Sequence, residues 1–199
     1  MRRPLLLGTS VLLLILVPPG GTPAPAPAGE RPPVQAAAPF GLGRVATPAE
    51  ISAWDIAVGP DGRGLPAGQG TARRGAALYA ERCAACHGAT GREGPFDPLV
   101  GREPRAGFPF GADPRYVKTI GNYWPYATTL YDYLNRAMPL DRPGSLSPDQ
   151  IYSLVAYLLW RNELISDSAV IDRHTLPRVV MPAHDRFVVD DRKGGAEVR

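Results

Sequence analysis

The chain has 199 residues, 44% of them hydrophobic and 21% charged, with 22 Gly, 23 Pro and 2 Cys. That composition suits one packed domain with extensions, and it excludes a disordered chain, a disulfide-dense scaffold and a four-cysteine zinc site. The formal charge of +3 falls close to neutral once Arg2 and Arg3 are set aside with the leading segment, so nothing calls for nucleic-acid binding.

Met1-Arg2-Arg3 opens on a run from Leu5 to Val17 that only Gly8, Thr9 and Ser10 interrupt. A basic start followed by a short apolar stretch reads as an export signal, too short to span a bilayer comfortably. Ala26-Pro27-Ala28 offers a cleavage site, so 1–28 is expected to be a signal peptide, leaving a periplasmic chain with no membrane span. Residues 18–39 contain eight prolines among Gly and Ala, a composition for a stiff linker, and the linker is drawn over 29–46. An N-terminal extension is then expected over 47–70, a central domain over 71–165 and a C-terminal extension over 166–199.

Thr47-Pro48-Ala49-Glu50 combines an N-cap, a Pro at the first helical position and a Glu closing the box, which predicts a short helix to about Trp54. Gly59 to Gly70 contains five glycines and two prolines and reads as loop. Thr71 caps an amphipathic stretch over 72–86, in which Gly75 and Tyr79 would let this helix cross the last one closely, near Tyr157. Gly88 to Pro114 reads as a long irregular loop, of a kind that is usually functional or wrapped around something. Thr129 to Asp132 looks like a second capping signature, with Pro139 ending that helix. Ser147-Pro148-Asp149-Gln150 starts the clearest helix, with Ile151, Leu154, Val155, Leu158 and Leu159 on a broad apolar face. No stretch of 40–165 alternates as a strand would, so the fold class is expected to be all-α, short helices separated by long loops.

Both cysteines fall in Cys83-Ala84-Ala85-Cys86-His87, the C-x-x-C-H pattern of c-type haem attachment. Positions i and i+3 on a helix turn present two thiols to one side, as the two vinyl groups of a porphyrin edge require. His87 then sits where its imidazole can reach the iron. A thioredoxin-like motif needs a βαβ context, and zinc needs more ligands than this chain offers here. One motif implies one haem c. For the sixth ligand, Met138 lies 51 residues after His87 and directly before Pro139; a thioether there would raise the reduction potential. Met181, His174 and His184, all in the tail, are rivals. Tyr123-Trp124-Pro125-Tyr126 reads either as a haem-pocket wall or as ordinary loop packing. Arg136 would pair with a propionate, face a partner, or simply be solvated.

The order helix, Cys-x-x-Cys-His, long loop, Met-Pro and final helix resembles a class I cytochrome c, a single domain with long loops and N- and C-terminal extensions. Trp54-Asp55-Ile56, the run Ile120 to Tyr133 and Arg136-Ala137-Met138-Pro139 give a more particular resemblance, to the SoxD-type cytochromes, the cytochrome c subunits of sulfane and sulfite dehydrogenases. The resemblance implies that Cys83 and Cys86 bind haem and that His87 and Met138 ligate iron. It further implies a molybdenum-cofactor dehydrogenase subunit as partner, with a downstream cytochrome c or oxidase taking the electrons. Substrate chemistry would then lie on the partner and not on this chain. Some SoxD proteins carry two haem domains, whereas this chain has one motif. A free-standing electron shuttle is the rival reading, and a haem ligand sensor a more distant one.

Overall fold

In a computed structural model, residues 44–110 and 112–188 are described; the expected signal peptide and most of the linker lie outside the described residues. Helix α1 (Pro48–Trp54) begins with the anticipated capping box. The Thr47 hydroxyl accepts from Glu50 N at 3.3 Å, and the Glu50 carboxylate accepts from Thr47 N at 2.8 Å. Strand β1 (Gln69–Thr71) leads directly into α2 (Ala72–Arg82), capped by Thr71, and a separate turn, α3 (Ala84–His87), follows. After a long loop come α4 (Ala127–Ala137) and α5 (Pro148–Arg161), the latter with a complete Ser147/Gln150 box. The tail adds β2 (Val170–Asp172) and 3-10 turns at Leu176–Arg178 and His184–Arg186. These elements lie in one unit that starts at Ala46.

Three expectations need correcting. The fold is mostly helical but not all-α. β1 and β2 pair antiparallel, with Gly70 opposite Ile171, because strands of three residues paired across the length of the domain leave no alternation to read. The helix expected over 72–86 breaks at Cys83, whose φ of −122° interrupts the helical path. Helix α4 starts at Ala127 and not at a Thr129 cap. Tyr126 is its extended N-cap, without a side-chain capping bond, and Asp132 accepts from Val58 N (2.9 Å) and Arg136 Nε (3.0 Å) instead of closing a box.

The core forms around α5. Every residue from Ile151 to Leu159 is buried, as expected of a helix covered on all sides. Helix α2 crosses it at Gly75, where an added Cβ would lie 2.6 Å from Tyr157 Cβ and overlap the Ser153 carbonyl. The glycine is required by that close approach. Tyr79 and Tyr157 meet beside it with ring centroids 5.0 Å apart. Ile171, Leu176 and Met181 from the tail join the same cluster.

Candidate haem site

Helix α2 delivers the haem-attachment motif, and the loop that follows folds back over it. Cys83 is half-buried and Cys86 exposed, and both are free thiols. Burial, reinforced by the neighbouring Cys86, pushes the Cys83 thiol up to about 11, which keeps it in the thiol form at neutral pH. The Tyr79 hydroxyl donates to the Gly88 carbonyl at 2.9 Å, tying the residue after His87 to α2; burial raises this phenol to about 12. Gly94 passes so close to the motif that a Cβ would lie 2.6 Å from Gly88 N, and Phe96 N donates to the Cys86 carbonyl at 3.3 Å.

His87 Nδ1 lies 3.3 Å from the Asp97 carbonyl. With Nδ1 donating there, Nε2 keeps its lone pair for a metal, the usual outer-shell device for fixing a ligating imidazole. Glu93 orders the intervening loop, accepting from Thr90 N and Arg92 N, each at 3.0 Å, and from the Thr90 hydroxyl. Those bonds hold its carboxyl down to about 2.

Met138 is the C-cap of α4. It is half-buried and packs, like Cys83 and Ala84, against the edge of the core. Apolar side chains around these elements are left uncovered, with Phe96 50%, Tyr133 45% and Leu140 64% exposed. Two free thiols three residues apart and an imidazole whose Nδ1 faces a carbonyl have the chemistry that haem c attachment needs, and the Phe96 ring lies beside His87 with centroids 6.1 Å apart. The rivals for the sixth position have other contacts. Met181 is 1% exposed inside the core, His174 Nε2 accepts from Arg173 Nε at 3.1 Å, and His184 contacts the Asp185 carboxylate at 2.8 Å. Arg136 is ion-paired to Asp132, one turn earlier on α4. Of the aromatic run, Trp124 packs on the core edge and meets Tyr133 edge-on at 5.7 Å, while Tyr123 stacks on Phe110 at 4.8 Å.

Residues 70–158 match the family model described as cytochrome c oxidase, cbb3-type, subunit III. The chain is 44% identical to a chain in the crystal structure of the sulfane dehydrogenase SoxCD from Paracoccus pantotrophus. The match covers 80% of this chain and 76% of that one, with a TM-score of 0.66. The chain belongs to the SoxD-type cytochromes c. Like its family, it carries covalently attached haem c and is an electron-transport protein. A thiosulfate dehydrogenase (TsdBA) from Marichromatium purpuratum also matches, at 32% identity over 45% of this chain and 17% of that one, with a TM-score of 0.32. No curated protein sequence matches.

Sequence reasoning missed two residues that hold this SoxD-type domain in shape. Asn162, 1% exposed, accepts from Gly101 N at 2.9 Å and donates to the carbonyls of Leu158 (2.8 Å) and Leu99 (3.2 Å). It fastens the loop beyond the haem motif to the end of α5. Asn122 does the same for the next loop, accepting from Thr119 N at 2.8 Å and donating to the Val117 and Glu103 carbonyls. A polar residue just past a strongly apolar helix was the one available signal for Asn162.

Proposed function

We propose that this cytochrome is the periplasmic, single-haem electron acceptor of a molybdenum-cofactor dehydrogenase acting on sulfane or sulfite sulfur. The observation that carries the reading is the similarity to a SoxCD chain. At 80% of this chain, it extends well beyond the haem-motif region 70–158 into the extensions. In this reading Cys83 and Cys86 would anchor the porphyrin and His87 Nε2 would ligate the iron, its ring held in register by the Asp97 carbonyl. Met138 would offer its thioether to the iron as well, which favours the ferrous state and raises the potential. Haem c, when bound, supplies a one-electron couple. The loop 88–101 and the side chains of Phe96, Tyr133 and Leu140 would exclude water from it, which would keep the reorganisation on electron transfer small. Oxidation of the sulfur substrate takes place on the partner, and its two electrons leave singly. The export segment 1–28 supports a periplasmic site, since bacterial haem c is attached outside the cytoplasm. Among the described residues, no helix is long and apolar enough to cross a membrane.

The test is co-expression with the neighbouring dehydrogenase subunit, purification from the periplasm, and observation of the haem α band on adding sulfite, then thiosulfate. Co-purification and substrate-dependent reduction are expected. A lone protein that dithionite reduces but neither substrate does, with the partner present, refutes the reading in favour of a free shuttle. Met138→Ala should lower the midpoint potential and open the reduced iron to carbon monoxide; an unchanged potential would remove Met138 from the ligand set.

A further inference from the structure

Between the loop after Leu99 and the C-terminal tail lies a cavity of about 90 Å³, with no residue of the haem motif in its lining. A water occupies about 30 Å³ of liquid, so the space suits three waters or one small tetrahedral ion. Arg102 and Arg105 line it from the loop and Arg186 from the tail, and no Asp or Glu is in the lining. The loop wall is held from behind. Gly101 N donates to the buried Asn162 side chain at 2.9 Å, and the buried Asn122 amide donates to the Glu103 carbonyl at 3.1 Å. The backbone is thereby pinned on both sides of Arg102. The Arg102 stem crosses Gly121, where an added Cβ would lie 2.7 Å from Arg102 Cγ, so the stem rests directly on glycine backbone.

The opposite wall is a stack of rings. The Arg186 guanidinium lies over Phe110, 5.2 Å from its centroid. Phe110 in turn stacks on Tyr123 at 4.8 Å and meets Phe187 edge-on at 5.0 Å. Its φ of 55° falls in the left-handed region that bulky residues rarely occupy. Strain of this kind persists where surrounding contacts over-determine it, and it gathers at ligand clamps. A guanidinium that gives its face to a ring keeps its in-plane N–H groups for another partner.

Charge and donor count select the occupant. Arg105 is already compensated, with Nη2 2.6 Å from the Glu163 carboxylate and Nε 3.8 Å from Glu103. Arg102 instead donates to the Glu163 backbone carbonyl at 3.3 Å. Glu163 also feels Arg102, but its carboxylate is committed to Arg105. Among the described residues, neither Arg102 nor Arg186 has a carboxylate within 4.0 Å. Two uncompensated cations on opposite walls match a doubly charged anion, and guanidinium forks match the edges of an oxyanion. The Asn122 side chain is spent, its oxygen on Thr119 N and its amide on the Val117 and Glu103 carbonyls. The lining side chains can therefore only donate. Hydrogen phosphate carries a proton that needs an acceptor, whereas sulfate and thiosulfate carry none at neutral pH. We propose that this cavity binds a fully deprotonated, doubly charged sulfur oxyanion of the sulfate or thiosulfate type, bridged between Arg102 and Arg186, so that binding fastens the tail to the loop.

The test needs only the full haem-loaded chain, without any partner, so its result is separate from that of the functional reading. Sodium sulfate, sodium thiosulfate and inorganic phosphate are titrated calorimetrically near pH 7, with sodium chloride holding the ionic strength constant. One equivalent of sulfate or thiosulfate should bind with a Kd of about 1 mM or tighter, and phosphate at least about tenfold more weakly. Bound sulfate should raise the unfolding temperature above that in chloride alone. Arg102→Gln and Arg186→Gln should each weaken sulfate at least about tenfold while keeping the haem spectrum. Arg186 is exposed, so its variant keeps the test decisive should Arg102→Gln fail to fold. Arg178→Gln removes an exposed tail arginine outside this lining and should leave the Kd within about twofold. No saturable sulfate binding up to about 20 mM overturns the proposal. So does a Kd that Arg186→Gln leaves unchanged, and phosphate binding as tight as sulfate overturns the choice of a sulfur oxyanion.

Discussion

Asn162→Ala is the most informative single perturbation of the scaffold around the haem motif. The substitution removes three hydrogen bonds, but their loss is not equal. The Leu99 carbonyl still accepts from Ile120 N (3.2 Å) and the Leu158 carbonyl from Asn162 N (3.1 Å). Gly101 N, in contrast, loses the side-chain oxygen it donates to at 2.9 Å. A stranded donor costs about 1–3 kcal/mol and each bond with a surviving acceptor about 0.5–1 kcal/mol, so the total is about 2–5 kcal/mol. For a domain of this size that lowers the unfolding midpoint by roughly 7–14 °C at the middle of the range. Thermal unfolding of the haem-loaded protein, followed by far-ultraviolet circular dichroism, measures it. Asn162→Asp sharpens the test. A carboxylate can still accept from Gly101 N, but it points its other oxygen at two carbonyls unless protonated. Its folded pKa is therefore raised above the ordinary value near 3.9. The variant should lie closest to wild type near pH 4 and fall behind as the pH rises towards 7. A loss under 0.5 kcal/mol for Asn162→Ala, or a pH-independent gap for Asn162→Asp, would refute the reasoning.

Two further outcomes follow from the same geometry. Gly75→Ala gains about 1 kcal/mol of helix propensity, but it drives a Cβ to 2.6 Å from Tyr157 Cβ and into the Ser153 backbone. Because backbone cannot rotate away, the net effect should be a destabilisation of about 1–3 kcal/mol, read from denaturant midpoints; an increase in stability would show that α2 and α5 can separate freely. Glu93, held at about 2 in the folded protein, lies below the unfolded value near 4.3, so its stabilisation is complete above about pH 5 and is lost as the pH falls towards 2. Glu93→Gln should narrow its stability gap from wild type across that window, and a gap that stays constant from pH 6 to pH 2.5 would count against the role given to this carboxylate.

What could be read in the sequence was what is local. Thr47/Glu50 and Ser147/Gln150 each place all their partners within four residues, and both boxes formed. The haem motif is likewise a contiguous statement of chemistry. Thr129 to Asp132 shows how a local signal can mislead. Pro125 favours extended backbone before it, Tyr126 remains extended, and the helix starts at Ala127 before Thr129 can cap anything. Asp132, released from that duty, binds the backbone of Val58, 74 residues away. β1 and β2, Asn122 and Asn162 were unreadable for the same reason, since each depends on a partner that only the finished fold brings near.

The two extensions do different work. The C-terminal one is part of the core, because Ile171, Leu176 and Met181 are buried in it and Ile171 pairs with Gly70 beside α5. Truncating it would expose α5. The N-terminal one puts Leu65 into the core and Val58 against its edge, and polar contacts hold it along one edge: Val58 to Asp132, Pro60 to Thr128, and the Tyr152 hydroxyl to the Pro66 carbonyl at 2.9 Å. Two of these three contacts are on α4, the helix that ends in Met138. Asp132 joins them to Arg136 at 3.0 Å, two residues before the proposed ligand. Asp132→Asn, which keeps an acceptor for Val58 N but weakens the hold on Arg136, should shift the midpoint potential measured by redox titration of the haem-loaded protein. An unchanged potential would show that the Asp132–Arg136 pair does not influence the Met138 end of α4.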